Sequence, residues 1–127
     1  MYVVDPATWP EWVASRYEAC GIALVTCSFE DMGPYASPRF DEAWIYNVLQ
    51  HVNDPALVIT NARAVAHKIR VFDWIEVDPY PGHPHRLEKK QLDDWLGAPG
   101  FVAQINENGA VGRAYYGVFQ GADHQST

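Results

Sequence analysis

The sequence predicts an α/β fold, a mostly parallel sheet with helices on its faces, closed at its end by an antiparallel hairpin. Three observations carry that expectation. Short apolar runs rich in β-branched and aromatic residues alternate with segments of helical spacing, the helical segments carry start and stop residues, and the last two apolar runs flank a turn containing Asn108 and Gly109.

The first apolar run, residues 2–5, ends in Asp5 and Pro6 and reads as a strand. Thr8 and Glu11 then have the spacing of a capping box, with Pro10 harmless in a first turn. Trp9, Val13, Tyr17 and Cys20 recur at four, four and three, one face of a helix over about 9–20, and Gly21 suits a left-handed stop. Residues 22–29 form a second apolar run, closed by acids and by the Gly- and Pro-rich stretch 33–38. A third run, 41–48, shows no alternation around Ala43 to Tyr46, the pattern of a strand covered on both faces.

Asp54 and Pro55 are a cap and a first helical residue. The helix they open predicts a stripe of Leu57, Val58, Ala62, Val65 and Ala66, ending near His67 and Lys68, whose charge suits a carboxyl end. Residues 69–77 read as a fourth strand. After the Pro-rich loop 78–85, Leu87, Leu92, Trp95 and Leu96 belong to a short helix over about 87–96 that stops at Gly97. Residues 101–105 and 114–119 complete about six strands, and 121–127 is a polar tail; the expectation is one domain over 1–120.

A chain of 127 residues fits one domain and can bury about two-thirds of its unfolded surface. With 48% hydrophobic residues, five Trp and seven Tyr, it is globular and not disordered. The net charge of -7, with cations scattered, offers no basic stripe for a phosphate backbone, so nucleic acid is not an expected partner. No apolar run approaches the roughly 20 residues of a membrane span and no signal segment opens the chain, so a cytoplasmic protein without a membrane partner is expected. Cys20 and Cys27 are too few for a disulfide framework.

Residues 40–55 carry the most specific pattern: Phe40-Asp41, six residues, Val48-Leu49, one residue, His51-Val52, one residue, Asp54-Pro55. This phrase resembles the fourth strand and following turn of class I S-adenosylmethionine-dependent methyltransferases. The resemblance extends from Tyr2 to Gln120, with residues 3–5 similar to the family's second strand, 23–32 to its third, 69–76 to its fifth, 83–101 to the approach to its sixth and 114–119 to its seventh. It implies a Rossmann-like methyltransferase sheet that lacks the first strand and helix, since no G-x-G spacing occurs among the nine glycines. That first strand belongs between the second and fourth, at the switch point where the ligand crevice forms. Either the two flanking strands pair directly, or another chain fills the gap, or the sequence is a piece of a longer one; an open edge is a template for association, so a homo-oligomer or a complementing chain is a possible outcome.

The resemblance also implies a site. Asp5 corresponds to the acid that binds the cofactor's ribose hydroxyls, although an Asp before Pro6 equally suits a turn. Ser28 stands where the family offers an acid to the adenine amino group, and Phe29 and Met32 could flank the ring or belong to the core. Tyr46 and Asn47 correspond to contacts with the cofactor's methionine end. Some methyltransferases of phenolic quinone precursors carry Glu-x-x-Glu-His here; this chain has Asn47, Gln50 and His51, so two anionic ligands are lost and no metal is expected. His51 is a candidate general base toward a substrate hydroxyl, or a residue capping its turn. His83 and His85 lack third and fourth ligands for zinc, and the resemblance places their loop over the substrate. The implied activity is methyl transfer to a small-molecule acceptor with S-adenosylmethionine as cofactor, bound weakly or not at all by the chain alone; the competing expectation is a non-catalytic remnant or partner-binding module.

Overall fold

The computed structural model describes residues 1–32 and 40–122, with the side chain of Met32 outside the description. The expected turn at 33–38 and most of the expected tail lie outside it. The chain divides into two compact units, Met1–Gly33 and Pro34–Thr127, where the sequence suggests one domain over 1–120.

The first unit holds β1 (Tyr2–Val4), α1 (Glu11–Ala19), β2 (Ala23–Val25) and a 3-10 turn at Phe29–Met32. β1 and β2 pair in parallel, Val3 opposite Leu24, and the ladder continues through the Asp5 amide to the Val25 carbonyl at 3.1 Å. The capping box is not formed. Pro10 occupies the cap with no side-chain bond, and its carbonyl accepts from Val13 instead, because Pro10 displaces the start of the helix beyond the reach of Thr8. Of the expected stripe, Val13 and Tyr17 are half-buried, whereas Trp9 and Cys20 are exposed. The stop is as expected: Gly21 has φ +75°, its amide donates to Glu18 and that of Ile22 to Tyr17, which satisfies the last carbonyls. The second strand is shorter than 22–29, since the chain turns at Cys27 and winds into the 3-10 turn.

The second unit contains β3 (Phe40–Tyr46), α2 (Pro55–Val65), β4 (Ala66–Ile75), α3 (Lys89–Leu96), β5 (Phe101–Glu107) and β6 (Ala110–Gln120). The sheet order is β3-β4-β6-β5, parallel between β3 and β4 and antiparallel elsewhere. The parallel pair predicted between residues 43–46 and the following strand is present, with Ile45 opposite Val71. Asn108 and Gly109 both take positive φ, 50° and 80°, as the hairpin turn requires. α2 starts as expected, the Asp54 carboxylate accepting from the Leu57 amide at 3.1 Å. It ends two residues earlier than expected. Ala66 is already extended, and His67 and Lys68 belong to β4, because their backbones join the sheet. α3 stops at Gly97, φ +78°.

The core of this unit lies on one face of the sheet. Ile45, Ile69, Val71, Ile75, Tyr115 and Phe119 are buried under Val58, Ile59, Ala62 and Val65 of α2 and Leu92 and Leu96 of α3. The other face differs from the expectation that the third run is covered on both sides: Trp44 and Tyr46 are 62% and 49% exposed. Both helices pack on the same face, so among the described residues of this unit no helix lies over the alternate residues of β3. Among the described residues, no helix is long and apolar enough to cross a membrane.

Candidate functional site

In each unit the candidate residues gather at the carboxyl ends of parallel strands, the edge where open α/β sheets bind ligands. In the first unit, Asp5 follows β1 and Ser28 and Phe29 follow β2. Asp5 Oδ1 accepts from the Ala7 amide at 2.8 Å, so the carboxylate shapes the turn that the alternative reading proposed. The bond uses one oxygen of two, and an ionised carboxylate has acceptor sites beyond it. Ser28 Oγ donates to Glu30 Oε1 at 2.7 Å, which brings a carboxylate to the serine that stands where the family carries an acid. Phe29 is half-buried at the start of the 3-10 turn.

In the second unit, Tyr46 ends β3, and its ring stacks on Trp44 with centroids 5.7 Å apart. Asn47 follows with φ 57°, a left-handed conformation that Asn tolerates better than other non-glycine residues, and its amide donates to Phe72 at 2.7 Å. The chain thus leaves the sheet sharply, and a buried acid holds the turn in place. Asp73, fully buried on β4, accepts from the Leu49 amide at 2.8 Å and from its neighbour Trp74 at 2.9 Å. Burial pushes the Asp73 carboxyl above the usual carboxylate range, against the pull of the amides of Leu49, Trp74 and Val48. Gln50 is also buried and donates to the Trp74 carbonyl at 2.7 Å, so it anchors the turn to the sheet.

His51 is exposed beyond this anchor. Its Nδ1 lies 3.0 Å from the Gly82 carbonyl, which can only accept, so Nδ1 is the donor of this bond and Nε2 is the nitrogen left for other partners. His83 lies 4.0 Å from the His51 ring and 4.0 Å from Tyr80, ring centroid to ring centroid, so the loop predicted to face substrate is folded against the predicted base. His85 turns elsewhere: its Nε2 is 2.7 Å from the Val52 carbonyl and 3.0 Å from that of Asn53, tying the loop to the start of α2. An open pocket of about 330 Å³ lies beside it, walled by Pro84, His85, Arg86, Gln91 and Trp95. Among the described residues, no three His, Cys, Asp or Glu side chains converge as a metal set.

The motif over residues 40–55 and the loop that follows β4 lead to His51 and His83, whose rings meet in the structure, and to Tyr46 and Asn47 at the end of β3. Sequence reasoning misses Asp73, a single acid inside an apolar strand. An acid amid alternating core positions is the signal that marks it, because burial demands partners.

No family model matches the sequence, and no curated protein matches it. Solved structures do resemble the fold. The 1,6-didemethyltoxoflavin-N1-methyltransferase of Burkholderia thailandensis, solved with 1,6-didemethyltoxoflavin and S-adenosylhomocysteine bound, superposes with a TM-score of 0.71 at 16% identity, over 96% of this chain and 61% of that one. The CurJ carbon methyltransferase gives 0.62 at 14% identity, over 96% of this chain and 41% of that one. A SAM-dependent methyltransferase of Aquifex aeolicus gives 0.55 at 14% identity, over 93% and 68%. The chain spans only part of the length of these relatives, and its fold is a Rossmann-like one of the kind seen in class I S-adenosylmethionine-dependent methyltransferases.

Proposed function

We propose that the chain is the nucleoside-side portion of an S-adenosylmethionine-dependent methyltransferase acting on a small molecule. The observation that carries this reading is the placement of Asp5, Ser28 and Phe29 at the carboxyl ends of one parallel pair, and of Tyr46 and Asn47 at those of another. Asp5 would hold the ribose hydroxyls, with Ser28 and Phe29 at the adenine edge, all within the first unit; in the second unit, the roles of Tyr46 and Asn47 rest on the resemblance of residues 40–55 to the family. The cofactor, when bound, supplies an activated methyl group on a sulfonium leaving group. The protein's work is then alignment, with little acid–base chemistry beyond one proton. His51 takes that proton at Nε2, the nitrogen left as acceptor by the Gly82 bond.

A second reading, a non-catalytic module that keeps the fold, is favoured by one feature of the sequence. The glycine-rich loop that lets the methionine portion approach the backbone has no counterpart here. On either reading S-adenosylmethionine binds the chain alone weakly or not at all. Calorimetric titration tests the site: Asp5→Ala should weaken any binding by about 1.5–3 kcal/mol, the worth of a charge-assisted hydrogen bond. Binding unaffected by Asp5→Ala would refute the assignment.

A further inference from the structure

The uncovered face of the four-stranded sheet points to a partner. The registers place its side chains in rows: Glu42, Lys68 and Gln120; then Trp44, Arg70 and Val118; then Tyr46, Phe72, Tyr116 and Phe101; then Trp74, Ala114 and Ala103. The third row is aromatic from one edge of the sheet to the other. Trp44, Phe101 and Val118 are 62%, 65% and 54% exposed, and the Phe101 and Tyr116 rings stack at 5.6 Å. Trp74 lies over Gly112, where an added Cβ would meet its ring at 3.3 Å, so the apolar surface continues past the last row.

From these exposures, the open aromatic surface together with Val118 is on the order of 500 Å². A patch of that size is in the upper part of the range for the largest apolar patch of a monomer, and such patches are often functional. We infer that this face is an interface with a second copy of the same chain, the two sheets packing face to face about a two-fold axis. Area supports that occupant, because two such faces together remove about 1,000 Å², the lower bound for a specific interface. Charge supports it as well. The chain carries -7, but this face holds Lys68 and Arg70 against Glu42 and Glu107, a net charge of zero, so the repulsion between copies comes from elsewhere. The Glu42–Arg70 ion pair sits in the rows at one end of the face, and a two-fold axis sends the two copies of that polar end to opposite rims, leaving the aromatic rows in the centre. The inference is independent of the methyltransferase reading, since it rests on no cofactor contact.

Sedimentation velocity of the chain across a dilution series tests it. The expected result is a reversible monomer–dimer equilibrium that weakens at least tenfold in Trp44→Lys and in Phe101→Lys. Both sites are exposed, so circular dichroism should show both variants folded, and either one suffices for the comparison. Val111→Lys is the control: Val111 is 71% exposed but lies on the opposite face of β6, and its association should match the parent's. A monomer at every concentration, open-ended assemblies in place of a dimer, or a dimer weakened equally by Val111→Lys would each overturn the inference.

Discussion

Asp73→Ala removes the buried acceptor that ties the turn after β3 to the sheet. Two amides, Leu49 and Trp74, lose their partner, the first in a buried and the second in a partly buried position. Each buried donor left unsatisfied costs about 1–3 kcal/mol, and the relief of no longer burying a carboxylate offsets part of the sum, so the net loss should be about 2–4 kcal/mol. For a unit of this size that lowers the melting temperature by on the order of 10–20 °C. Asp73→Asn keeps the shape and one carbonyl acceptor, and should cost about 1–2 kcal/mol. The pH dependence has a definite sign. A carboxyl whose folded pKa is raised binds its proton more tightly in the folded state, so its contribution is complete below the unfolded value and is lost as pH rises through the folded one. The deficit of Asp73→Asn relative to the parent should therefore be largest in acid and shrink toward neutrality. Urea denaturation across pH measures both effects. A loss under about 0.5 kcal/mol for Asp73→Ala, or a deficit for Asp73→Asn that grows with pH, would refute the reasoning.

Three further outcomes follow from particular contacts. Gly100→Ala puts a Cβ 2.4 Å from the Tyr115 ring, which is fully buried and held by Asp93, so it should destabilise by about 1–3 kcal/mol in denaturant titration. Tyr115→Phe loses the 2.8 Å bond to Asp93 and should cost about 1.5–3 kcal/mol. Desolvation acts to raise the Asp93 carboxyl, but Lys89, the Gly100 amide and Tyr115 together outweigh it and hold the carboxyl below its usual range; its stabilisation is present above the unfolded value and lost as pH falls through the folded one, so Tyr115→Phe should also flatten the acid limb of the stability profile. Asp54→Ala removes the α2 cap and should cost about 1 kcal/mol by thermal melting, whereas Thr8→Ala should be neutral, because no capping box forms.

Legibility in the sequence followed the range of the interactions involved. Asp54-Pro55, Gly21, Gly97 and Asn108-Gly109 act within a few residues, and each marks its boundary in the structure as read. Thr8 misleads for a local reason as well, since Pro10 shifts the cap past it. The end of α2 depends on pairing with distant β3 and β6, so the basic pair His67-Lys68 could not reveal that β4 begins at Ala66. An unbroken apolar run such as Ala43 to Tyr46 says that a strand is hydrophobic on both faces, but not what covers each face. The Asn47–His51 turn was legible through its motif, while its anchor Asp73 lies 24 residues from Leu49 and leaves no local pattern.

If Asp5, Ser28 and Phe29 form the nucleoside end of a methyltransferase cofactor site, as proposed, adenosine should bind there as well as the whole cofactor does. Titrating adenosine and S-adenosylmethionine separately, with chemical shifts of the Asp5, Ser28 and Phe29 amides as the readout, tests it most directly. Both ligands should shift these amides with similar, weak affinity, and Asp5→Ala should abolish the response to both. Micromolar binding of S-adenosylmethionine together with far weaker binding of adenosine, or shifts that bypass these residues, would contradict it.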